Sequence, residues 1–182
     1  MKHKGFVLFV VMIFLLIMSM LGIAMFGGFI SDQKNASNLR EKQRAIEAAE
    51  TAMDGMQYWV QRADFIYPGT WNVGVACSAT TTQVGTTPVV CNTPLANPAT
   101  LPWAPYSNTY QPSAMSVNAA GGANTYATTT NTYIEFMGTT STNPSTALYR
   151  ITTTAQGGNA TAASVLQTVY QVRATVSDAS GG

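Results

Sequence analysis

The sequence predicts an α+β protein, one long amino-terminal helix packed on an antiparallel β-sheet head, and three observations carry that prediction. Residues Phe6 to Ile30 hold no charged side chain. Beyond them apolar residues keep helical spacing to about residue 64, and past that point short runs rich in β-branched and aromatic residues alternate with turn residues.

The apolar stretch justifies the first half of the helix. Twenty-five residues at the helical rise reach about 37 Å, enough to cross a hydrocarbon layer of roughly 30 Å with some tilt. A secretory signal has a shorter apolar region that ends in small residues of A-x-A type, and Gly27-Gly28 lack that pattern. The segment is therefore expected to stay as a membrane span. Lys2 and Lys4, in the leader Met1-Lys2-His3-Lys4-Gly5, hold its amino-terminal side in the cytoplasm. Gly22, Gly27 and Gly28 weaken the helix by about 1 kcal/mol each relative to Ala. They fit local melting and close packing among neighbouring helices equally well.

Leu39, Ile46, Ala49, Met53, Met56, Val60 and Ala63 continue the apolar stripe, with Arg40, Arg44, Glu47, Thr51, Asp54 and Tyr58 largely on the other face. Arg44 and Glu47 are placed to pair at i, i+3. Pro68-Gly69 cannot continue the helix, so it is expected to span about 6–64.

Four strands are expected next. Trp71, Val73, Val75 and Cys77 alternate with Asn72, Gly74 and Ala76, and further strands fall at 133–137, 147–151 and 166–172, with turns at 141–145 and 156–159. On the last strand Leu166, Tyr170, Val172, Ala174 and Val176 share a face, the expected partner of the Ile46, Met53 and Val60 stripe. Residues 92–131 form a loop-rich insert with five prolines and the aromatics Trp103, Tyr106 and Tyr110. The resulting organisation is a leader at 1–5, an apolar helix at 6–30, its amphipathic continuation at 31–64, and a β-rich head at 65–182.

Charge and cysteine content narrow the function. Beyond Asp64 only Glu135, Arg150, Arg173 and Asp178 are charged, and the formal net charge is +1, so no basic patch exists to neutralise phosphates and no nucleic-acid partner is expected. Cys77 and Cys91 are the only cysteines. In an exported head they are expected to form a disulfide worth roughly 3 kcal/mol in the chain-entropy model. The only histidine, His3, lies in the leader, so the head has no Cys/His metal set. With no paired carboxylates and no Gly-rich phosphate loop either, no enzyme, metal or cofactor is expected.

Gly5 directly before Phe6, behind a short basic leader and ahead of the span, resembles the leader of type IV prepilins. Ser37-Asn38-Leu39-Arg40 with Arg44-Ala45-Ile46-Glu47-Ala48-Ala49-Glu50 resembles the amino-terminal region of the PilX family of minor type IV pilins. Tyr149-Arg150-Ile151-Thr152 and Val165-Leu166-Gln167 resemble its carboxy-terminal strands, while about 70–130 resembles nothing identifiable. The resemblance implies the type IV pilin fold, cleavage between Gly5 and Phe6 by a prepilin peptidase, and N-methylation of Phe6. It also implies residence in the bacterial inner membrane with the head outside the cytoplasm, then in a surface pilus that serves adhesion and twitching motility.

Counting from Phe6, the fifth residue is Val10, where a major pilin normally has glutamate. That departure implies a unique position in a tip or initiation complex. The implied partners are other minor pilins, the major pilin, the inner-membrane assembly platform and a large tip adhesin. A pseudopilin of a type II secretion system would share the leader and helix, and a membrane-tethered binding module that never polymerises would share only the anchor.

Overall fold

The computed structural model describes residues 4–62, 73–77, 88–100, 103, 107–122, 124–140 and 146–173, with side chains from Phe6 onward. Among the described residues one helix, α1, covers Lys4–Gln61, and the chain divides into two compact units, Met1–Arg40 and Glu41–Gly182. Five strands follow among the described residues: β1 at Val90–Cys91, β2 at Asn108–Tyr110, β3 at Thr130–Thr140, β4 at Thr146–Gln156 and β5 at Ala163–Arg173.

In the first unit the helix runs unbroken through Gly22, Gly27 and Gly28. Its apolar side chains face outward, and it is long and apolar enough to cross a membrane. Ser19, the one hydroxyl among them, donates from Oγ to the Leu16 carbonyl at 2.8 Å, so the polar group is satisfied within the helix.

In the second unit, β3, β4 and β5 form an antiparallel meander. The sheet as a whole is mixed, because β1 lies parallel to β3 while β2 lies antiparallel to it, the two sharing one edge of β3 end to end. β3 and β4 lose register between Phe136 and Gly138, a bulge that leaves Met137 exposed.

The helix lays Ala45, Ala48, Ala49, Ala52, Met56 and Val60 against the sheet, all of them buried. Met56 and Val60 join Val90, Ile134, Ala147, Tyr149, Ile151 and Val172 in the main core, where each large apolar side chain contributes about 1.5–3 kcal/mol by leaving water. Ala48 and Ala49 meet Met115 and Ala155 in a second cluster. Small residues let backbone and sheet come close. At Gly55 the approach is extreme, since a Cβ there would stand 2.8 Å from Cζ of Tyr110.

Several expectations need correction. Of the expected stripe, Ala49, Met56 and Val60 are buried and Met53 packs against the main core, but Ile46 is only half-buried, Leu39 is 66% exposed, and Ala45, Ala48 and Ala52 complete the buried face. The described helix runs to Gln61, close to the expected end near 64. The strand expected at 71–77 reduces, within described residues 73–77, to a single parallel bridge between Val75 and Cys91. Gly74 has φ +72°, outside the extended region, so the alternation of Val73 and Val75 cannot become a buried strand face, and both are exposed. The loop-rich insert at 92–131 contributes β2 and a bridge between Val117 and Tyr126. Trp71, Asn72, the helix stop at Ala63 to Gly69, Tyr106, the turn at 141–145, and Ala174, Val176 and Asp178 lie outside the described residues.

Candidate functional site: an apolar assembly helix and a braced head

The sequence-predicted site residues fall in two separate places. Gly5, Phe6 and Val10 lie in the first two turns of α1; Phe6 is 72% exposed and Val10 47% exposed. Cys77 and Cys91 lie in the head and form a disulfide across 14 residues.

The helix meets the head through a polar joint beside the alanine ridge. Arg44 pairs with Glu41 at 3.1 Å, not with Glu47 as its spacing also allows. The reason is non-local. Glu41 Oε2 accepts a hydrogen bond from the Gly158 amide, and Arg44 donates from Nη2 to the Thr125 carbonyl at 2.7 Å while its guanidinium lies 4.9 Å from the Tyr126 ring centre. Lys42 donates from Nζ to the Ala163 carbonyl. One helical turn thus holds the loop at 122–126 and the β4–β5 turn. Arg44→Met is expected to lower head stability by about 1–3 kcal/mol, since it strands Glu41 and the carbonyls in partly buried positions. Thermal denaturation of the full chain in detergent checks this, with the exposed Arg40→Met as the control expected to change nothing.

The disulfide braces the opposite face of the sheet. Cys91 packs with Trp103 and Tyr133, flanked by Cys77, Val89 and Leu95. The indole donates from Nε1 to the Pro98 carbonyl at 3.0 Å, and the Tyr133 hydroxyl donates to the Thr93 carbonyl at 2.8 Å. Asn108, fully buried, accepts from the Val89 amide at 2.6 Å and donates to the Val89 carbonyl at 2.9 Å. Its side chain thus replaces a missing strand neighbour, a role that no periodicity in the sequence announces.

Among the described residues no three His, Cys, Asp or Glu side chains converge to hold a metal. Glu135 is paired with Arg150 at 3.4 Å. What the geometry offers is two kinds of surface, an exposed apolar helix and a charge-poor head closed by a disulfide.

A helix that is apolar over its first half and seated over its second on a mainly antiparallel sheet has the architecture of a type IV pilin. The family model described as PilX N-terminal matches residues 4–54, and that described as type IV pilus assembly protein PilX C-term matches residues 72–172. The chain belongs to the PilX family, a structural family of type IV pilus assembly pilins. Neither the curated proteins nor the solved structures give a match.

Proposed function

We propose that this PilX-family minor pilin acts in a tip or initiation complex of the pilus. The observation that carries the reading is Val10. If maturation makes Phe6 the first residue, the fifth position is aliphatic, and the whole stretch to Ile30 is without charge. In a major pilin an acid there neutralises the amino terminus of a neighbouring subunit, and an unpaired charge in hydrocarbon costs several kcal/mol. A subunit without the acid is poorly suited to repeated addition beneath others, and is suited to a place where nothing has to be neutralised.

On this reading a prepilin peptidase cuts between Gly5 and Phe6 and the Phe6 amine is methylated. The protein waits in the inner membrane, head outward, and reaches the pilus with other minor pilins above the major pilin, delivered by the assembly platform. A large tip adhesin is a further partner, and adhesion and twitching motility are the processes served. A secretion pseudopilin would share the helix physics; the match to the pilus assembly family over residues 72–172 favours a fibre.

Val10→Glu tests the position. The variant is expected to fold and insert normally but to appear along the shaft of sheared pili, or to block initiation, when its amount per fibre is measured by quantitative mass spectrometry. Unchanged stoichiometry and unchanged piliation would contradict the proposal.

A further inference from the structure

On the sheet face opposite α1, a cleft of about 100 Å³ opens between Trp103 of the insert and the ends of β3 and β4. Asn131 and Thr154 are paired across β3 and β4 and project to that face, as does Gln156 two residues on. Thr128 and Thr129 complete the polar wall. Thr154 is 5% exposed, and its Oγ1 has no hydrogen-bond partner; Oε1 of Gln156, also buried, has none either. Most buried polar groups in folded proteins are paired, and leaving one unpaired costs about 1–3 kcal/mol. Two such atoms at the wall of one cleft are a cost that the fold itself does not recover.

We infer that this cleft is a binding site for a neutral polyhydroxylated ligand, a single sugar unit of a glycan. Among the described residues the lining contains hydroxyls, carboxamides, one indole and Ala155, with no charged side chain. A charged group seated there would lose water without a counter-charge, which disfavours acidic sugars and phosphates. A sugar hydroxyl both donates and accepts, so it can give to Gln156 Oε1 and exchange with Thr154 Oγ1 once rotation of these side chains turns the covered atoms into the cleft. The apolar C–H side of a pyranose suits the Trp103 wall, whose ring is fixed through its bond to the Pro98 carbonyl. The space accommodates roughly one small ring rather than a drug-sized molecule, for which clefts of about 300 Å³ or more are usual. Ordered water alone would satisfy the two atoms, and the test separates that outcome.

The experiment uses the detergent-solubilised full chain and ligand-observed saturation-transfer NMR with the methyl glycosides of glucose, galactose, N-acetylglucosamine and N-acetylgalactosamine, with glucuronic acid as the charged comparison. Transfer to at least one neutral glycoside and none to the acid is expected. Thr154→Val should weaken that binding about tenfold while leaving the melting temperature unchanged or higher, because a methyl removes an unpaired hydroxyl without opening a cavity. Thr154→Ser should keep the binding, and Gln156→Leu should weaken it independently. No transfer to any neutral glycoside, equal transfer to the acid, or unchanged binding in either folded loss variant would overturn the assignment and leave the cleft a water site.

Discussion

Replacing Gly5 with tryptophan is expected to leave the chain unprocessed and to eliminate its incorporation into pili. Gly5 sits in the first turn of α1, where the backbone is helical. A protease needs that turn opened, and here opening is easy. The first four amides of a helix lack intrahelical acceptors, the neighbouring Phe6 is exposed, and Gly disfavours the helix by about 1 kcal/mol relative to Ala. An indole at position 5 both stiffens the turn and fills the space through which a protease would approach the backbone. Immunoblots of membranes should show only the longer precursor, and sheared fibres should lack the subunit. Normal fibres carrying a shortened chain would refute the cleavage assignment.

Cys77→Ser carries the second large effect. Closing a loop of this length restricts the unfolded chain by roughly 3 kcal/mol, and in this head the bond also holds the segment at 73–77, β1 and the Trp103 cluster together. The hydrogen bonds of Val75 to Val90 and of Asn92 to Val75, each 2.9 Å, depend on that alignment. The variant is expected to melt several degrees lower, with membrane insertion unaffected, and reductant should bring the wild-type chain to the same point. A melting temperature unmoved by both treatments would mean that the bond contributes nothing to the head.

Much of this arrangement was legible in the sequence where a local pattern dictates it. Phe6 to Ile30 admits little except a membrane helix, and the β-branched and aromatic runs became β3, β4 and β5, of which β5 alternates between a helix-facing and an exposed side. The two cysteines needed only an oxidising compartment. What failed to show was what distant segments decide. Arg44 has carboxylates at both i−3 and i+3, and only the Gly158 amide beside Glu41 breaks the tie. Hydropathy ranks Ile46 and Met53 above alanine, yet close approach of helix to sheet selects Ala45, Ala48, Ala49 and Ala52. Val73 and Val75 read as a strand until the backbone at Gly74 turns into the left-handed region. Asn108 and the cleft beside Trp103 arise from an insert whose composition predicts a loop-rich segment without saying what it packs on, because the partners they meet lie beside β1 and on β3 and β4.

Entry into the pilin pathway separates this chain from a simple tethered head, and intact-mass and amino-terminal analysis of the protein from its native membrane distinguishes the two. The prediction is loss of Met1 to Gly5 and a methyl group on the Phe6 amine; a chain that still begins at Met1 in assembled fibres or in the mature membrane pool would contradict it.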